Sequence, residues 1–116
     1  MKHFFELAEL RAEHATTGKR YLEFLRVPAL STGIYVLPAG AEDKQTPHGQ
    51  DEIYYVISGR ARMKITRAET ISSAAVSEDR LVTPGSVIFV EASAEHRFRS
   101  IEEELVVLVI FGPAEG

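Results

Sequence analysis

The feature that most constrains the fold is a succession of short segments, rich in aromatic and aliphatic residues, several of which end at glycine or proline. Segments of this length and composition, several of them alternating polar and apolar residues, predict β-strands. The seven predicted strands are residues 21–27, 33–37, 53–57, 62–66, 86–90, 96–99 and 105–111. So many short strands separated by turn residues predict an all-β sandwich or barrel.

A helical pattern stands at the N-terminus. Its apolar residues at helical spacing are Phe4, Leu7, Ala8 and Leu10. The pattern predicts a short helix that ends at Gly18, since glycine commonly follows the last turn of a helix. We therefore expect a helical extension over residues 1–18 and one β-domain over residues 19–116.

Residues 67–80 are rich in alanine, serine and glutamate and show little periodicity. We interpret them as an elaborated loop, with room for a short strand around residues 70–76.

Composition excludes several classes of protein. The 116-residue length is that of one domain. The absence of cysteine rules out disulfides, thiolate zinc sites and thiol nucleophiles. A net charge of −4 argues against nucleic acid as a partner. The longest apolar run, residues 105–111, is much shorter than the roughly 20 residues that span a membrane, and no apolar signal segment begins the chain. We expect a cytoplasmic protein.

Metal chemistry without thiolates depends on the four histidines and the carboxylates. His3 and His14 lie in or beside the helical segment, and we interpret them as surface residues. His48 and Glu52 have even spacing where a strand opens, so they can point to one side. His96 lies on another predicted strand. Two histidines and a carboxylate would form an open site for Fe(II) or Zn(II), the alternative being a solvated His–Glu pair at a strand entrance.

Glycines at matching positions make the sequence resemble the cupin family. The first cupin motif is matched in spacing by Gly40, His48, Glu52 and Gly59. Thr46 occupies the position of the family's first histidine. The glycines themselves are explained by turn geometry, since glycine adopts positive φ at little cost.

The second cupin motif is also matched in spacing, from Gly85 through His96. Here Glu91, Ser93 and Ser100 replace the family's proline, glycine and asparagine. The two motifs occur in the family's order along the chain.

The resemblance implies a small single-domain cupin, a jelly-roll β-barrel with one divalent metal ion (Fe, Mn, Ni or Zn) in its mouth. Carried over by position, His48, Glu52 and His96 are three of the family's four metal ligands. The fourth is left open between Thr46, whose hydroxyl is a poor ligand, and the amide oxygen of Gln45.

Strand alternation predicts which side chains share the interior with Glu52 and His96. The expected pocket-lining residues are Tyr35, Val56, Phe98 and Ser100, although the parity of the first is not anchored by a ligand. Tyr54 faces the same side and is a candidate catalytic residue, orienting a substrate or serving as an acid. Core packing is the alternative role for Tyr54 and Phe98.

Three functions remain open at this point. The first is a metal-dependent oxygenase, isomerase or lyase acting on a small polar or anionic metabolite. The second is a non-catalytic module that binds a small molecule or a metal. The third is a barrel without metal function. Neither nucleic acid nor membrane is expected as a partner. A homodimer is expected, with the helix at residues 4–13 and the strand at 21–27 as interface pieces.

Overall fold

Two long antiparallel strands organise the molecule. The computed structural model describes residues 1–68 and 75–115. Its elements are α1 (Leu7–Thr17), β1 (Tyr21–Val27), β2 (Leu30–Leu37), β3 (Asp51–Ala68), β4 (Ala75–Val82), β5 (Val87–Val90) and β6 (Glu95–Gly112). The ladder between β3 and β6 runs from Asp51 opposite Gly112 to Thr66 opposite Glu95. The strands join in the order β1-β2-β6-β3-β4, and β5 pairs with β3. This is the predicted all-β jelly-roll fold with a short N-terminal helix.

Each long strand replaces two predicted strands. The segments at 53–57 and 62–66 lie within β3, and those at 96–99 and 105–111 lie within β6. Register shifts between Val56 and Arg62, with positive φ at Gly59 (96°) and Ser100 (50°), mark irregularities in both strands. Bulges of this kind bend a strand and increase its twist, so turn-like sequence features can interrupt a pattern without ending a strand.

The predicted loop at residues 67–80 is wrong in its second half, because β4 begins at Ala75 and pairs along β3 as far as Val82 opposite Ala61. Most of the short strand predicted at 70–76 lies outside the described residues. The charged residues of β4 made this segment resemble a loop in the sequence. One of these charged residues, Asp79, forms ion pairs with other strands, with Arg62 of β3 at 3.0 Å and with Arg99 of β6 at 2.6 Å.

The helix starts later than its pattern predicts. Phe4 lies before α1 and is 86% exposed, whereas Leu10 is buried. Phe5 packs against Phe24 of β1 with ring centroids 5.0 Å apart. As predicted, α1 ends at Gly18, which has the left-handed φ of 68°. No helix in the described part of the chain is long and apolar enough to cross a membrane.

The main core lies between the inward faces of the strands. Its buried side chains include Leu37, Tyr54, Val56, Met63, Val82, Val90, Phe98, Leu105, Val107, Val109 and Phe111. A second, smaller cluster lies under α1, where Leu10 packs with Ile34, Val36 and Val106. The helix therefore covers part of the outer surface of the sheet, whereas the candidate site lies in the barrel interior.

Candidate metal centre

Three of the predicted ligand side chains meet inside the barrel. His48 precedes β3, Glu52 is the second residue of β3, and His96 is the second residue of β6. One ligand atom from each lies within 4.8 Å of the others. Glu52 is paired with Phe111 at one end of the β3–β6 ladder, and His96 is paired with Ile65 near the other end. They meet because the ladder curls around the barrel.

Three polar atoms of this group lack a hydrogen-bond partner among the described residues. Within residues 1–68 and 75–115, both carboxylate oxygens of Glu52 and the Nε2 atom of His48 are buried without a hydrogen bond. His96 Nε2 lies 2.9 Å from Glu52 Oε1, an ion-pair distance without the angles of a hydrogen bond. A buried carboxylate is costly unless its charge is balanced, and a divalent cation would supply that balance in place of a proton on His96. The donor set, two imidazoles and a carboxylate, fits such an ion.

The orientation of His96 is set by its backbone surroundings. Its Nδ1 atom lies 3.1 Å from the carbonyl oxygen of Ala94, and its Nε2 atom lies 3.0 Å from the hydroxyl of Tyr54. Burial lowers the pKa of His96, but the contacts with Glu52 and Ala94 and the negative charge of Asp43 together raise it above its ordinary value of 6.5. His96 therefore holds a proton readily until a cation competes for Nε2.

The two candidates for a fourth ligand lie in different surroundings. Thr46 is exposed. The Oε1 atom of Gln45 accepts a hydrogen bond of 2.9 Å from the Tyr54 hydroxyl, and its Nε2 atom donates to Asp43 at 2.8 Å. Both ends of the Gln45 amide are thus engaged with other side chains.

Asp43 is a site residue that sequence reasoning missed. It is 4% exposed and accepts hydrogen bonds from the Tyr35 hydroxyl (2.7 Å), from Gln45 and from the backbone amide of Phe98 (2.8 Å). Burial and the Asp43 contact raise the pKa of Tyr35. The available signal was an acidic residue in the loop that leads to His48. A chain of hydrogen bonds therefore runs from Asp43 through Gln45 and Tyr54 to His96.

The predicted pocket-lining residues fall into different surroundings. Val56 and Phe98 are buried in the core, and Tyr54 is completely buried. Tyr35 is half-buried on the wall of a cavity. Ser100 is exposed, because its positive φ of 50° interrupts the alternation that was expected to turn it inward. The expectation that Ser100 lines the pocket is therefore wrong.

A cavity of about 200 Å³ opens beside His48. Its walls are Tyr21, Tyr35, Gln45, His48, Val109, Phe111 and Glu115. The Tyr21 hydroxyl is buried and has no hydrogen-bond partner among the described residues. Burial, followed by the charge of Glu115, raises the pKa of Tyr21, so that its hydroxyl keeps its proton. A larger groove of about 370 Å³ lies along β4 and β5 but is lined by none of the three candidate ligands.

The C-terminal segment also reaches the site. Glu115 Oε2 lies 3.0 Å from His48 Nδ1. The loop that carries His48 is held from the other side, since the Ser93 amide donates to the His48 carbonyl oxygen at 2.7 Å. A glutamate next to the last residue of the chain carries no local pattern that points to such a contact, and sequence reasoning did not find it.

The match to a known family agrees with this fold and site. Residues 33–111 match the family model described as "Cupin domain". The chain therefore belongs to the cupin family, as the spacing of the two motifs predicted.

Individual proteins extend the comparison. An uncharacterized protein of Streptomyces coelicolor is 44% identical over 112 residues, 97% of each chain. A crystal structure of a Bacillus halodurans protein, BH2720, superposes with a TM-score of 0.74 at 14% identity, covering 99% of this chain and 84% of that one. The Fe(II) form of HppE, solved with an alternative substrate, superposes with a TM-score of 0.61 at 17% identity, covering 78% of this chain and 48% of that one.

Proposed function

We propose that this protein binds one divalent metal ion through His48, Glu52 and His96 and acts on a small molecule held in the adjoining cavity. The observation that carries the proposal is the cluster of His48, Glu52 and His96, in which three buried atoms have no hydrogen-bond partner among the described residues and from which His48 also lines the cavity. A divalent ion at this position would polarise an oxygen of the bound molecule or activate water. The Fe(II) form of HppE supports the association of this fold with a divalent metal.

The residues around the site would hold the ligands and the bound molecule in place. Tyr54 is completely buried, and its hydroxyl donates to Gln45 while it lies next to His96. Burial and the nearby Glu52 carboxylate raise the pKa of Tyr54 well above 10. We therefore assign Tyr54 to positioning His96 rather than to giving up a proton.

The cavity favours a small, uncharged occupant. A volume of about 200 Å³ holds on the order of six water molecules. The wall is mainly aromatic, and in the described chain neither lysine nor arginine lines it. The carboxylates of Glu52 and Glu115 would offset the charge of a divalent ion, so that little attraction for an anion remains. The Tyr21 hydroxyl would donate to an oxygen of the occupant.

The test of the proposal is metal content. Protein purified without chelator, or reconstituted with Mn, Fe, Ni or Zn, is expected to hold close to one ion per chain by elemental analysis. Less than about a tenth of an ion after reconstitution with each metal would overturn the proposal.

A second candidate function is a non-catalytic module that binds a metal or a small molecule. Two carboxylates near the site are already paired, that of Glu115 with His48 and that of Asp43 with Tyr35. This pairing favours a module that binds without catalysing a reaction. The identity of the bound metal separates the candidates, because Fe(II) favours dioxygen chemistry whereas Zn(II) favours isomerising, hydrolytic or structural roles.

We also propose that the protein forms a homodimer in the cytoplasm. Apolar side chains on the outer face of β3, β5 and β6 support the assembly. Ile53 lies opposite both Phe89 and Ile110, and Tyr55 lies opposite Val87. These five side chains are 37–67% exposed, which makes this sheet face a better interface than the helix and β1.

A further inference from the structure

We propose that Glu115 is a positioning residue of the metal centre, which makes the C-terminal segment part of the site. The proposal rests on the metal-binding function proposed above. Glu115 Oε2 lies 3.0 Å from His48 Nδ1, on the opposite edge of the imidazole from the unpartnered Nε2 atom. Glu115 itself is not among the three residues whose ligand atoms cluster within 4.8 Å. It therefore acts through His48.

The contact selects one tautomer of His48. Glu115 Oε2 lies at an ion-pair distance from Nδ1, where a carboxylate oxygen is attracted by a proton and repelled by a lone pair, so Nδ1 carries the proton and Nε2 keeps its lone pair. A neutral histidine in water prefers the other tautomer, with the proton on Nε2. Glu115 thus reverses the tautomer preference of His48 and leaves its Nε2 atom free to bind a metal ion. A carboxylate behind a ligating imidazole also makes that imidazole a stronger donor.

The backbone holds Glu115 in place. Its amide donates to the hydroxyl of Ser31 at 2.9 Å, and the Ala114 amide donates to the carbonyl oxygen of Pro28 at 3.3 Å. Ser31 is completely buried in β2. Residues 114–115 are therefore docked against the β1–β2 turn. Phe111 packs against the His48 ring with centroids 5.1 Å apart and restrains the plane of the imidazole.

Two measurements on Glu115→Ala test the proposal. In the metal-free protein, ¹⁵N NMR at about pH 8 should show the His48 proton on Nδ1 in the wild type and a shift toward Nε2 in the variant. The dissociation constant for Zn(II), measured by competition with a chromophoric chelator, should rise about 10- to 100-fold. Glu115→Gln keeps a side-chain oxygen acceptor but loses the charge, so it should retain the tautomer and lose less affinity. Glu104→Ala removes an exposed glutamate that pairs with Arg11 and is the matched control.

The outcomes distinguish this proposal from the metal-binding function on which it rests. If Glu115→Ala leaves the tautomer unchanged and zinc affinity within about twofold of the wild type, the positioning role is refuted. If the wild type binds no metal, the proposed function fails, but the NMR measurement on the metal-free chain still decides whether Glu115 sets the His48 tautomer. Far-ultraviolet circular dichroism verifies that each variant is folded.

Discussion

The Nδ1 atom of His96 lies 3.1 Å from the carbonyl oxygen of Ala94, and this contact decides which nitrogen faces the metal centre. Because a carbonyl only accepts, Nδ1 carries a proton, and Nε2, which is directed toward Glu52, is the nitrogen left to bind a metal ion. His48 obtains the same arrangement from Glu115. Two histidines from distant parts of the chain therefore present the same type of nitrogen to one carboxylate.

Removal of either inward histidine should abolish metal retention. His48→Ala and His96→Ala each delete a donor of the three-residue group, whereas His14 lies on the helix with its Nε2 atom near the Arg20 carbonyl oxygen. We expect metal content to fall at least about tenfold in the first two variants and to stay at the wild-type level in His14→Ala. Equal losses in all three variants, measured by elemental analysis, would refute the ligand assignment.

Tyr54→Phe should weaken the site without unfolding the barrel. The change removes a hydroxyl that lies between Gln45 and His96 and leaves the buried end of Gln45 without a donor. We expect the free energy of unfolding to fall by about 1–3 kcal/mol in urea titrations. Tyr55→Phe is the control, because the Tyr55 side chain is on the outer face and 43% exposed. Equal stability of the two variants would show that the Tyr54 hydroxyl does not support the site.

Gly59→Ala should be far more damaging than Gly85→Ala. Both glycines have φ of 96°, which costs an alanine about 1–2 kcal/mol. A Cβ at Gly59 would also overlap the Glu104 carbonyl oxygen and lie 2.7 Å from the Leu105 Cα, whereas a Cβ at Gly85 meets no described atom within 4 Å. We expect thermal and urea unfolding to show a loss of about 2–5 kcal/mol at Gly59 and about 1–2 kcal/mol at Gly85. A larger loss at Gly85 would contradict the packing described for β3.

Benzamide and benzoate test the charge of the cavity's occupant. The two molecules have nearly the same shape and differ in charge, so the carboxylates near the cavity should disfavour benzoate. In NMR titrations of the zinc-loaded protein we expect benzamide to bind at least about threefold more tightly. Tyr21→Phe, which removes the unpartnered hydroxyl, should reduce benzamide affinity by about 2- to 10-fold. Tighter binding of benzoate would favour an anionic substrate.

The homodimer proposal predicts a different response at two exposed phenylalanines. Phe89 lies within the apolar sheet face, whereas Phe4 is exposed just before the helix, at the alternative interface formed by the helix and β1. Phe89→Lys should shift the mass from dimer to monomer in light scattering at micromolar concentration, because it places a charge in the interface. Phe4→Lys should leave the dimer intact. Dissociation by Phe4→Lys alone would move the interface to the helix and β1, and a monomeric wild type would refute the proposal.

Local patterns in the sequence predicted much of the fold. The bounds of β1 are those of the segment predicted at residues 21–27, because a run of aromatic and aliphatic residues and a following proline are local signals. The pattern around β4 failed, since charged residues that pair across strands resemble a loop when the partner strand is unknown. The positive φ of Ser100 was likewise invisible, and it moved that side chain from the expected interior to the surface.

The sequence by itself determined the strand-rich fold and the family, and it predicted His48, Glu52 and His96 as ligands, because these depend on spacing along a few residues or on two compact motifs. Only the tertiary structure decided that Asp43 and Glu115 support the site. The physical reason is the curl of the β3–β6 ladder and the docking of the chain's end, which bring together groups whose proximity no local periodicity encodes.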